Sequence, residues 1–342
     1  MKTKALVGSL FAVTLFLTAC GGDDNQKTAQ ATSASEQVMK VGVCPGPYGY
    51  MVESVIAPLL TEEGYKVEVI TFSDYVQPNL ALDSGDIQAN LFQHQAYFDN
   101  FVETQGVKLE SVINVPTLGM GVFSANIKSY DELKAGDKVA IANDPVNLGR
   151  SLDVAQKAGL IKLNKQVNDN KASIADITEN KYSLEFVPMD AAQIARSLDS
   201  VAIGFVPGNF AYAANLDFSK ALSVEDVKEP IKNVVAVKAE NKALKDLFYK
   251  VIHSQKFKDA IVKDSKFDQF TRPVWWDEVA ATDESADTAA DAASPNAAPA
   301  SSDAASAADG APADDAEDAA KGDKTAMMLS PKFAETLVKV AA

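Results

Sequence analysis

Between residues 38 and 264, apolar runs of four to seven residues alternate with amphipathic stretches, and that alternation admits few folds. Runs 38–43, 66–72, 87–92, 138–142, 184–187, 201–206 and 233–237 read as strands. Stretches 51–63, 79–84, 95–104, 145–158, 190–198, 242–254 and 256–264 read as helices. Gly64, Gly85, Gly106 and Gly159 follow four of them as stop signals. Strands separated by helices build parallel βαβ units and an α/β fold. Leu82-Asp83-Ser84 and Leu198-Asp199-Ser200 each close a helix before a strand, a faint echo of two similar lobes.

The two ends of the 342-residue chain obey other rules. Lys2 and Lys4 precede a 13-residue apolar run, 5–17. A membrane span needs about 20 residues, so the run reads as a signal-peptide core. Leu17-Thr18-Ala19-Cys20 follows and resembles a bacterial lipobox, in which cleavage precedes Cys20 and its sulfur carries lipid. The expected signal peptide is 1–19, and 20–37, rich in Gly, Ser, Thr, Ala, Asp and Gln, reads as a flexible tether. The protein is thereby expected in the bacterial cell envelope, anchored to a membrane through Cys20, with the leaflet undetermined. At the other end, Trp275-Trp276 closes the globular pattern. Segment 277–326 is expected to be disordered: residues 277–324 contain 19 alanines, three prolines and only one large aliphatic side chain. Ser330-Pro331 then resembles an N-cap and N1 pair, opening a short helix within 327–342.

Charge and motifs exclude several classes. Residues 277–324 account for −11 of the net charge of −15, and so acidic a chain lacks the basic face a nucleic-acid partner needs. Two cysteines preclude a disulfide scaffold, and with Cys20 lipidated Cys44 reads as a small buried hydrophobe. No phosphate loop, dinucleotide fingerprint or nucleophile elbow is present, so neither a cofactor nor a catalytic residue is expected. Cys44 with His94, or His94 with Asp86 or Asp99, makes a poor nucleophilic or metal constellation.

A small-molecule site fits the pattern better. Phe72, Tyr75, Phe92, His94 and Tyr97 stand at or just after two predicted strand ends, where open α/β sheets bind ligands. Asn143, Asn147 and Arg150 surround a predicted helix start at Asp144-Pro145. Free N–H groups and a guanidinium fork there suit the α-carboxylate of an amino acid. The plain alternative for Arg150 is a surface ion pair.

The stretch from about Met39 to Trp276 resembles the methionine-binding lipoprotein family, the solute-binding subunits of methionine ABC importers. The resemblance is carried by Val69-Ile70-Thr71-Phe72-Ser73-Asp74-Tyr75-Val76-Gln77-Pro78-Asn79 and by Ser84-Gly85-Asp86-Ile87-Gln88-Ala89-Asn90-Leu91-Phe92-Gln93-His94. Asn143-Asp144-Pro145-Val146-Asn147-Leu148-Gly149-Arg150-Ser151-Leu152 and Gly159-Leu160-Ile161-Lys162-Leu163 follow in order. It implies a two-lobed periplasmic-binding-protein fold over 38–276, with lobe 1 at about 38–121 and 225–276 and lobe 2 at about 122–224. It implies L-methionine held between the lobes, with a permease and an ATPase as partners. Phe72, Tyr75, Phe92, His94 and Tyr97 would surround the thioether, which favours aromatic edges. Arg150 would hold the carboxylate, with Asn147 and Asn233 on the head group.

One departure bears on specificity. Relatives usually carry Ile-Asn-Gly-Asn-Tyr-Ala where this chain has Val206-Pro207-Gly208-Asn209-Phe210-Ala211. Asn209 keeps the second asparagine, and Pro207 removes the first. Another amino acid or a methionine-containing dipeptide is therefore the alternative ligand. A surface-displayed structural or adhesive lipoprotein is the alternative of a different class.

Overall fold

The computed structural model describes residues 37–166 and 171–278. The expected signal peptide, Cys20, the tether up to residue 36, the acidic segment from 279 and the closing helix lie outside the described residues.

Two five-stranded sheets organise the chain. The first has the order β2-β1-β3-β12-β4, with β1 (Gln37–Val43), β2 (Tyr65–Thr71), β3 (Ala89–His94), β4 (Leu109–Asn114) and β12 (Asn233–Lys238). The second has the order β11-β5-β10-β6-β9, with β5 (Gly121–Phe123), β6 (Lys138–Ala142), β9 (Glu185–Met189), β10 (Ile203–Val206) and β11 (Ser223–Val224). A small hairpin of β7 (Ile161–Leu163) and β8 (Ile177–Asn180) borders the second lobe. This is the two-lobed α/β architecture expected from the sequence.

The parallel βαβ expectation holds for β1 with β2 and β3, and for β6 with β9 and β10. It does not hold throughout. β12 runs antiparallel to β3 and β4, and β5 runs antiparallel to β10 and β11. The reason is the path of the chain. β5 is the strand by which the chain enters the second lobe, and β12 the strand by which it returns to the first. Each arrives from the cleft side, so it opposes the helix-connected strands beside it.

Helices α1 (Pro47–Met51) and α2 (Ala57–Glu62) are joined by one π-helical stretch, Val52–Ile56. The helix thus begins at Pro47 and not at residue 51, because proline at the first position is preorganised for a helix. α3 (Gln77–Ser84) ends at Gly85, whose φ of 91° supplies the left-handed cap that the sequence predicts. α4 (Gln95–Gln105) completes the covering of β3 and β4. In the second lobe, α5 (Pro145–Lys157), α6 (Ala191–Ser197) and α7 (Gly208–Ala213) follow β6, β9 and β10. α8 (Lys242–Ile252) and α9 (Gln255–Lys263) return to the first lobe.

The lobes have separate cores. Met39, Val41, Ile56, Leu91, Phe248 and Phe257 pack in the first, closed by Trp275 and Trp276. Trp275 also donates its Nε1–H to the Asn114 carbonyl at 2.8 Å, so burial and a hydrogen bond together hold the end of the described chain. Met120, Val139, Ile141, Leu152 and Phe205 pack in the second. The lobes are joined by two crossings, 115–120 and 225–232.

Candidate functional site

β3 is buried along its whole length, and its last turn of chain brings the Phe92 and His94 side chains to the cleft. His94 then caps α4: its Nδ1 accepts the Tyr97 N–H at 3.1 Å. That turn lifts Tyr97 beside Phe92, with ring centroids 6.4 Å apart in an edge contact. Tyr75 comes from the loop after β2, which Asp74 closes by accepting the Val76 and Gln77 N–H groups. The Tyr75 ring stands 6.0 Å from Phe92, 5.7 Å from Tyr97 and 5.1 Å from Phe210 of the opposite lobe. Behind this wall, Asn79 and Gln93 exchange two amide hydrogen bonds of 2.7 Å, and Asn90 donates to Asn79 at 2.9 Å. Buried amides satisfied in this way fix the strand end against α3.

The second lobe supplies the charge. Asp144 caps α5 by accepting the Asn147 N–H at 2.9 Å, and proline follows it, as the sequence predicts. One turn in, Arg150 is buried. It is not a surface residue: it forms a two-pronged ion pair with Glu225, Nε to Oε1 at 2.8 Å and NH2 to Oε2 at 2.5 Å. Burial pushes the Arg150 pKa down, but Glu225 more than reverses this and it ends above its ordinary value. Burial pushes the Glu225 carboxyl up, Arg150 outweighs it, and the pKa ends below the usual range. Both groups are therefore charged near neutrality.

Asn147 links this pair to the aromatic wall. Its Oδ1 accepts from Arg150 NH1 at 3.2 Å and faces His94 Nε2 at 3.0 Å. Because His94 Nδ1 is occupied as an acceptor, the ring proton sits on Nε2 and donates to Asn147. The Asn147 amide donates in turn to Asp144. Asn209 spans the lobes as well, accepting from Tyr75 Oη at 2.7 Å and donating to the Pro45 carbonyl at 3.0 Å. The Asn233 side chain makes no hydrogen bond among the described residues and lines the cavity.

The cavity so enclosed measures about 360 Å³ with its mouth included. Tyr75, Phe92, His94, Tyr97, Asn147, Arg150, Asn209 and Asn233 line it, eight of the nine residues singled out from sequence. Phe72 does not. It lies one residue past β2, packed with Leu82 and Ile87 on the face covered by α3. A strand end reveals that a residue is near the cleft, not which face its side chain takes. Tyr48, Gln93, Thr117 and Leu118 also line the cavity and were not anticipated, and Pro207 stands at its wall. Glu225 was missed because nothing local marks it; only the fold brings it 75 residues back to Arg150. Cys44 is buried as expected, its Sγ 3.1 Å from the Asp74 carbonyl.

His94 carries a pH prediction. Burial, and then the Arg150 charge, lower its pKa from 6.5 to about 3. Between those values the unfolded chain binds a proton that the folded chain refuses. Stability is therefore full above about pH 6.5 and falls as the pH drops towards 3. By pH 5 the loss assignable to this ring is about 2 kcal/mol. His94→Asn keeps an N-cap acceptor without the titration. In urea unfolding at pH 7 and pH 5, the variant should lose about 2 kcal/mol less than the parent between the two. Equal losses would mean that the folded ring accepts its proton.

Residues 39–275 match the NlpA lipoprotein family. The D-methionine-binding lipoprotein MetQ of Salmonella typhi is 40% identical over 244 residues, covering 70% of this chain and 86% of that protein. Outer membrane lipoprotein 3 of Mannheimia haemolytica is 37% identical over 253 residues, covering 72% and 90%. The solved structure of a nutrient-binding protein from Burkholderia cenocepacia bound to methionine superposes with a TM-score of 0.64 at 37% identity, covering 68% of this chain and 99% of that one.

Proposed function

The chain belongs to the NlpA lipoprotein family, and from that premise we propose that it captures methionine between its lobes and delivers it to an ABC importer. It is a solute-binding lipoprotein, not an enzyme. The observation that carries the reading is the opposition across one cleft of an aromatic wall and a buried guanidinium. An α-amino acid with an unbranched thioether matches both ends. The sulfur packs at aromatic edges, and the carboxylate meets Arg150. Asn233, whose amide is uncommitted, completes the head-group contacts. Tyr75, Phe92, His94 and Tyr97 form the side-chain wall.

Asn147 and Asn209 play a different part in this reading. Their amides are spent on hydrogen bonds that join the lobes, so they favour the closed form as well as the ligand. A ligand that bridges the lobes adds contacts only when the cleft is shut, and the population shifts to the closed state. Lobe 1 at about 38–121 and 225–276, lobe 2 at about 122–224, a lipid on Cys20, and permease and ATPase partners in the envelope belong to the same proposal.

The test begins with the anchor-free protein denatured and its released small molecules identified by mass spectrometry. Methionine is expected. The stripped protein is then titrated with L-methionine and D-methionine separately, because the curated relative carries the D form in its name. Release of another amino acid would keep the importer role and move the specificity, with Pro207 the first position to examine. A protein that arrives empty and binds neither enantiomer would overturn the reading.

A further inference from the structure

Glu225 does not line the cavity; it stands behind Arg150. Both of its oxygens are engaged. Oε1 takes the Arg150 Nε–H, and Oε2 takes the Arg150 NH2 together with the Met120 N–H at 3.0 Å. One edge of the guanidinium is thus closed, and the remaining nitrogen, NH1, is directed to Asn147 at the cavity wall. Glu225 directly follows β11 and Met120 directly precedes β5, so the residues that hold the guanidinium sit where the chain crosses between lobes. His94 is neutral and adds no charge to the cleft.

We propose that Glu225 is the specificity-determining residue that restricts this cleft to zwitterions, positioning Arg150 and cancelling its charge. The inference rests on the reading that Arg150 receives the ligand carboxylate. An unpaired buried guanidinium would attract any carboxylate of suitable shape. With Glu225 in place, an entering carboxylate finds only the free end of the fork and brings a second negative charge next to the first. That charge is balanced only if the ligand carries its own cation on the α-carbon. The ammonium is therefore recognised twice: by the cleft's polar groups, and by the carboxylate that Glu225 places behind Arg150. Discrimination through a repulsive element of this kind raises specificity without adding a contact.

The probes are L-methionine and 4-(methylthio)butanoate, which is the same molecule without the amine. By calorimetry the parent protein should bind methionine at least about 100-fold more tightly. Glu225→Gln keeps the shape and removes the charge, and should contract that ratio at least about tenfold, chiefly by tighter binding of the butanoate. Glu225→Asp keeps the charge and should preserve the ratio within about threefold even where both affinities fall. A purely structural role would weaken both ligands together and leave the ratio alone. An unchanged ratio in Glu225→Gln overturns the proposal. So does a parent that binds the two ligands within about tenfold of each other, a result that needs no variant to fold. Arg150→Met separates the two levels. If it leaves methionine binding intact, the carboxylate reading fails and this inference with it. If it abolishes both ligands while the Glu225→Gln ratio does not move, only the role of Glu225 is lost.

Discussion

Arg150→Met should produce a protein that is less stable by about 3–5 kcal/mol at neutral pH and binds methionine at least about 100-fold more weakly. The two effects have separate origins. Stability falls because the Glu225 carboxylate, whose side chain is only 6% exposed, keeps its charge and loses its partner. Removing one member of a buried pair costs more than the pair contributes, since the desolvation is left uncompensated. The stability loss should shrink on acidification, because an unpaired buried Glu225 regains neutrality by taking a proton. Arg150→Met combined with Glu225→Gln should recover most of the stability and none of the binding. Urea unfolding at two pH values and calorimetry read the two effects apart. Wild-type affinity in a folded Arg150→Met protein would remove the guanidinium from the site.

Gly46→Ala should weaken methionine binding by about 2 kcal/mol, close to 30-fold, although Gly46 itself does not line the cavity. Gly46 has a φ of 138°, a conformation that side chains rarely adopt. A Cβ there would lie 2.7 Å from the Asn209 Cβ, 2.8 Å from its carbonyl oxygen and 2.9 Å from its Cα. Those atoms belong to the opposite lobe and include backbone, so they cannot turn aside. The backbone strain is felt whether the cleft is open or shut, but the clash arises only when it shuts. The substitution should therefore bias the protein toward the open form. Small-angle scattering should show the parent contracting on methionine and the variant contracting less. Wild-type affinity in the variant would mean that closure does not bring Gly46 against Asn209.

Most helices and buried strands are legible because their information is local, but α7 and the six-residue β4 are not. Asp144-Pro145 announced α5, and Gly85 and Gly106 marked helix ends with the positive φ they have. The short strands were not: β5 has three residues and β11 two, too few to show a period. They exist because the crossings run alongside existing sheet edges. The longest family-like strings also encode two different things. Tyr75, Phe92 and His94 within them face the cavity, whereas Asn79 and Asn90 serve the amide network behind it. Sequence alone does not separate a contact from its support, which is why Phe72 was placed with the wall. Glu225 was hidden for the complementary reason that its partner is distant in the chain.

The return of the chain to its first sheet also dictates an order of assembly. The strands of the second sheet all lie between residues 121 and 224, so that lobe can close its core on its own contiguous segment. The first sheet cannot: β12 (233–238) sits between β3 and β4 and must pair with strands laid down more than 100 residues earlier. Until it arrives, β3 and β4 face a gap, and Trp275 and Trp276 have no core to seal. During synthesis from the N-terminus, the lobe begun first is thus the lobe finished last, with its apolar interior exposed while its neighbour is already folded. A chaperone that guards this protein as it emerges would find its binding surface in β1, β3 and β4, not in the lobe that carries Arg150.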